Sequence, residues 1–166
     1  MTLSKKAIIN ICICAVAVIC IFLMFAAYVS VSLGGETESI SGFEAAFGKT
    51  EFGAKVYAFS IFPFLVFLFF IAIAVLACLN AFVLKDNKAV TIVIMVLAFV
   101  SAVLLFFAGM HGFMWNFGDD AGGSEYYDYL KAAGATFGPG FGAVLSAILM
   151  LAAGAGACAN EFVLKD

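Results

Sequence analysis

Charge is what this chain has least of. Only 11% of its residues are charged, against about 25% in ordinary soluble domains. Four stretches hold no Asp, Glu, Lys or Arg at all: Ala7 to Leu33, Val56 to Leu84, Ala89 to Gly118 and Ala132 to Asn160. Each exceeds the roughly 20 apolar residues with which a helix crosses a hydrocarbon core about 30 Å thick. With 66% hydrophobic residues, the chain has too little polar surface to solvate a globular domain of its own. The expected fold is therefore an all-α membrane protein with four transmembrane helices, and its first partner is the lipid bilayer.

Other absences exclude whole classes of chemistry. All 8 basic residues are Lys, so bidentate recognition of phosphate by guanidinium is missing and nucleic-acid binding is excluded. His111 is the single histidine; alone it can neither ligate a haem on both faces nor build a zinc site. The 5 cysteines, at positions 12, 14, 20, 78 and 158, all fall inside the uncharged stretches. That leaves the loops without a disulfide staple, and no Cys-x-x-Cys pair exists for thiol redox work. Gly-x-Ser-x-Gly, His-Glu-x-x-His and Gly-Lys-Ser/Thr motifs are missing too. No stretch contains the mid-depth acid or base on which ion pumps and intramembrane aspartyl proteases depend. No catalytic residue, cofactor or metal is predicted, and the chain is not read as an enzyme. The acidic second loop, with Asp119, Asp120, Glu125 and Asp128, lacks the spacing of a calcium loop and reads as a solvated face.

The charges that do occur are sorted. Lys5, Lys6, Lys85, Lys88 and Lys165 fall on one side of the four runs, whereas Lys49, Lys55 and Lys131 sit among the acids of the other loops. Lysine near span ends fixes orientation, so both termini are expected in the cytoplasm and two acidic loops outside. The expected location is an integral plasma membrane, of the bacterial inner-membrane type. Lys5-Lys6 before an apolar run also opens secretory signals, but this run is about twice the usual length of a signal core. It reads as a first span.

Ala77 to Asp86 returns at Ala157 to Asp166 as Ala-Cys-x-Asn-x-Phe-Val-Leu-Lys-Asp. Asn, Lys and Asp recurring in register point to a duplicated hairpin. The first hairpin would occupy residues 1–86, with spans at about 7–33 and 56–84; the second would occupy 87–166, with spans at about 89–110 and 137–160. Both halves start and end on the same side, so they are parallel repeats. Lipid gives helices no hydrophobic reason to associate, which leaves close packing by small residues to hold them. Gly138, Gly142, Ser146, Gly154 and Gly156 supply such surfaces and nominate the fourth span as the centre of the bundle. Asn80 and Asn160, equivalent in the repeat, are expected to hydrogen-bond between helices.

Short interfacial helices are expected in the two outer loops. Phe43 and Phe47 fall at helical spacing in the first, where Ser41 and Glu44 form a capping box. Tyr126 and Tyr129 share a face in the second, and with Trp115 they belong to an outer aromatic belt. Glu161 lies one turn before Lys165, with which it can pair. Together these features predict a structural, accessory or regulatory subunit that acts through helix-helix and outer-loop contacts with itself or another membrane protein. The alternative is an oligomeric pore or transporter for a small or neutral solute.

Overall fold

The uncharged stretches do contain long helices, but none of the stretches is helix from end to end. The computed structural model describes residues 4–164. In chain order it contains helix α1 (Lys5–Leu23), strands β1 (Ala27–Leu33) and β2 (Glu36–Ser41), helix α2 (Gly42–Phe47), and strands β3 (Lys49–Glu51) and β4 (Ala54–Ala58). Helices α3 (Ile61–Phe82) and α4 (Lys88–Phe106) follow, then strand β5 (Asn116–Phe117), a 3-10 turn at Asp119–Ala121, helix α5 (Gly123–Ala132), strand β6 (Thr136–Pro139) and helix α6 (Phe141–Phe162).

Helices α1, α3, α4 and α6 are each long and apolar enough to cross a membrane. They form a four-membered ring in which α1 and α4 each pack against both α3 and α6. Helix α6 is the most buried of the four, yet it occupies a corner of that ring and not its centre, contrary to expectation. Helices α3 and α6 are both 22 residues long, and their bounds lie 80 positions apart at each end. Small residues line the buried faces: Ala17, Ala74, Ala77, Ala98, Ala102, Ala147 and Ala157 are all buried. Such residues allow close helix approach where lipid gives no drive for association.

The all-α expectation is wrong. Two three-stranded antiparallel sheets, ordered β2-β1-β6 and β3-β4-β5, cap one end of the bundle, so the fold is mixed α/β. Uncharged strand and uncharged helix look the same to a hydropathy window. In the first stretch α1 stops at Leu23, and Val29-Ser30-Val31-Ser32 alternates β-branched and small polar residues in a strand. Gly34 and Gly35, at φ 61° and 90°, close a two-residue turn, with Leu33 paired to Glu36. Positive φ at both turn positions matches the twist of a hairpin and favours glycine.

The second hairpin turns at Phe52-Gly53, where Glu51 pairs with Ala54. The third strand of each sheet comes from the second long loop. Val31 of β1 pairs with Phe137 of β6, and Tyr57 of β4 with Phe117 of β5. Both loops are thereby knitted into one cap. The two short helices, α2 and α5, exist inside this β framework and do not organise the loops on their own. Ser41 and Glu44 cap α2 reciprocally, with Glu44 N–H donating to Ser41 Oγ (3.1 Å) and Ser41 N–H to Glu44 Oε2 (3.0 Å).

Candidate functional site

The cap is built around aromatic rings. Trp115 is fully buried; its Nε1–H donates to the Gly109 carbonyl (3.3 Å), and its ring meets His111, Phe117, Tyr127 and Phe137 at centroid distances of 4.9 to 6.2 Å. Trp115 therefore belongs to the core of the cap and not to an exposed belt or interface. His111 stacks on Tyr127 at 4.1 Å with the rings 8° from parallel. Its Nε2 accepts a long bond from Phe117 N–H (3.4 Å), which requires the neutral imidazole. Burial pushes the His111 pKa below its ordinary value, with Asp128 opposing that shift.

Beside this cluster lies an open cleft of about 580 Å³, lined by the exposed Phe107 and Met110, by His111 and Tyr127, and by Lys131 and Thr136. Gly109 and Gly138 lie against each other at its edge. A Cβ on Gly109 would stand 2.6 Å from Gly138 Cα, so the turn after α4 and strand β6 meet backbone to backbone. Gly138 thus sits in a strand, paired with Ser30, and is not part of a helix-packing stripe.

The other small residues divide between two neighbours. Gly142, in the first turn of α6, lies under the end of α1, where a Cβ would stand 2.8 Å from the Leu23 carbonyl oxygen. Ser146 is buried, and its carbonyl accepts a weak bond from Cys20 Sγ (4.0 Å). Gly154 faces the Phe99 ring of α4 at 3.0 Å from the position of a Cβ. Gly156 has room to spare, with Ile9 at 3.8 Å.

At the end of the bundle away from the cap, buried polar groups join the helices. Asn80 Nδ2–H donates to Thr91 Oγ1 (3.0 Å) while its Oδ1 accepts from Asn87 N–H (2.7 Å), which ties α3 to the start of α4. Asn10 donates to Asp86 Oδ1 (2.9 Å). Asn160 is also buried, but its Oδ1 has no partner. Glu161 pairs with Lys88 at 3.3 Å; Lys165 lies outside the described residues.

The cap's surface carries two kinds of aromatic residue. Phe43 and Phe47 meet with tilted rings, and the series runs on to Phe25, just past the end of α1, and to Phe64 and Phe67 of α3. Tyr126 and Tyr129 are exposed on α5. Phe52 stands apart. It is fully solvent-exposed at the tip of the β3–β4 hairpin, with φ at 51°. The sequence signal for it is an aromatic residue before Gly53 between two short polar segments, and the apolar surroundings mask it. Nearby, Lys49 bridges Glu44 and Glu51, at 2.8 Å each. Burial disfavours the Glu44 charge, but Lys49 and Ser41 outweigh it and hold the carboxyl below its ordinary pKa.

Among the described residues no three His, Cys, Asp or Glu side chains converge as metal ligands. Asp120, in the acidic second loop, instead accepts the Lys55 backbone N–H (2.8 Å). The class these features define is a mixed α/β protein in which four helices long and apolar enough to cross a membrane are capped at one end by two antiparallel sheets. No protein-family model, curated protein or solved structure matches the chain.

Proposed function

We propose that this protein is a non-catalytic four-span membrane subunit whose β cap faces outward, with both termini in the cytoplasm, and docks on another membrane protein. The observation that carries the reading is Phe52. A non-glycine residue in the left-handed region costs about 1 to 2 kcal/mol. An exposed phenylalanine also forgoes the roughly 2 kcal/mol that burial of its ring supplies. Pairing of Glu51 with Ala54 offsets the backbone cost, but the fully exposed ring has no burial to offset its own. Asn would suit the turn better on both counts. Non-glycine residues at such φ values cluster at functional sites, and an aromatic anchor at a hairpin tip has the character of an interface hot spot. Glu51 beside it, and Glu36 and Glu38 on the exposed strand β2, suit a partner with an apolar pocket rimmed by positive charge.

The pore reading has less behind it. The buried helix faces are dominated by Ala and apolar side chains, so a channel would have to form between copies.

Phe52→Asn separates docking from folding. The substitution relieves the turn, so the thermal midpoint should stay the same or rise, while a photo-crosslinking phenylalanine analogue placed at position 52 should capture a defined membrane protein. Mild-detergent extraction of the Phe52→Asn protein should lose that protein from the co-purified set. Retention of every co-purified partner would contradict the reading, and capture of a second copy alone would favour the oligomeric alternative.

A further inference from the structure

We propose that the groove along α4 is a binding site for a membrane phospholipid with an anionic headgroup. The proposal rests on the placement of the four helices in a membrane but is independent of partner docking at Phe52. The 580 Å³ cleft beside the aromatic cluster adjoins the first of two neighbouring apolar furrows of about 410 and 250 Å³. The cleft and the first furrow share Phe107 and Met110, and the two furrows share Val103 and Leu104. Phe99, Val103 and Phe107 recur at intervals of four residues, so they lie on one face of the helix. The run from Phe99 to Phe107 covers about 12 Å of axis, and the groove continues past it to Met110.

The chemistry changes at one end only. The furrows are apolar along their length, whereas the cleft adds Lys131, Thr136 and His111. No carboxylate is among the described residues lining it, although the rest of this end is rich in acids; Asp128, which acts on His111, lies outside the lining. Lys131 makes no ion pair with a described carboxylate. Its ammonium sits over the Tyr127 ring at 5.6 Å from the centroid, which holds it at the cleft without neutralising it. His111 Nε2 is taken by Phe117 N–H, so Nδ1–H is the donor this ring has left. A cation and neutral donors at the head of an apolar furrow suit a phosphate diester with an acyl chain attached.

Trp115 is the only tryptophan in the chain, and it touches His111, Tyr127 and Phe137 of the cleft wall. It therefore reports on an occupant through short-range quenching. The protein is reconstituted into phosphatidylcholine vesicles doped with phosphatidylglycerol or phosphatidylcholine brominated high on the acyl chain. Brominated phosphatidylglycerol should quench Trp115 with an apparent affinity about fivefold higher, the preference that one lysine near a membrane surface supplies. Lys131→Gln should abolish the preference, Lys131→Arg should keep it, and Lys55→Gln, at the same end but away from the cleft, should leave it unchanged. Unlabelled lysophosphatidylglycerol should relieve the quenching, whereas glycerol phosphate, which has the headgroup without the chain, should not. Equal quenching by the two brominated lipids would overturn the proposal. Loss of the preference in Lys55→Gln as well would assign it to the general surface field and overturn it too. Failure of the protein to float with vesicles would remove the membrane placement itself.

Discussion

His111 shows how much a single side chain can be asked to do in a cap with little else that titrates near neutrality. Its folded pKa is depressed, mainly by burial, so the unfolded chain binds a proton at a pH where the folded protein does not. The sign follows from linkage: the contribution is complete above the unfolded value of about 6.5 and is lost as pH falls through it toward the lower folded value. Protonation also turns Nε2 from acceptor to donor and removes the bond from Phe117 N–H. The thermal midpoint should therefore fall as pH drops from about 7 through about 6.5. Glu44 does not contribute there, because its depressed pKa places its own loss at lower pH. His111→Gln should flatten the pH dependence in that window; an unchanged slope in that variant would mean that another group is responsible.

Among the elements, α3 and α4 are tied by Asn80, which bonds both the Thr91 side chain and the Asn87 backbone across the connecting turn. Asn80→Ala leaves the Asn87 N–H without its acceptor, at a cost of about 1 to 3 kcal/mol, while Thr91 Oγ1 keeps its bond to the Asn87 carbonyl (3.2 Å). Asn160→Ala should cost less, since its Oδ1 already lacks a partner. Comparison of the two variants in denaturant melts checks the difference, and equal losses would contradict it. Sequence alone nominated both residues as interhelical ties because the repeat makes them equivalent, and it could not distinguish them. The distinction comes from Thr91 and Asn87, which sit beside Asn80 where the chain turns into α4.

The strands were missed for a related reason. Charge-free Ala27–Leu33 lengthened the apparent first span, and only the Val-Ser alternation with Gly34-Gly35 marks it as a hairpin arm. Of Thr136–Pro139, Gly138 drew notice in the sequence as a packing residue, and the segment's role depends on pairing with Val29 to Ser32, over a hundred positions earlier. The Ser41–Glu44 capping box, by contrast, is a local signal and was readable from its spacing. Local periodicity shows in a sequence, and long-range strand partners do not. Trp115 illustrates the same limit: its composition suits an interfacial belt, while its burial is created by Phe117 and Phe137 arriving on different strands.

At the scale of the whole molecule the two ends differ in kind. One carries the sheets, the aromatic core and Phe52; the other carries Asn10, Asn80 and Asn160, with Lys88 and Glu161 pairing beside them. Docking through Phe52 and lipid capture at Lys131 both require the capped end to lie together on one side of the bilayer, and the orientation we propose from the lysine distribution puts that side outside. The direct test places single cysteines at Lys49, Lys88 and Ser124 in a background freed of the native cysteines and labels intact cells with a membrane-impermeant maleimide. Positions 49 and 124 should label from outside, and position 88 should label only after the cells are opened. External labelling at 88, or protection at both 49 and 124, would contradict the account.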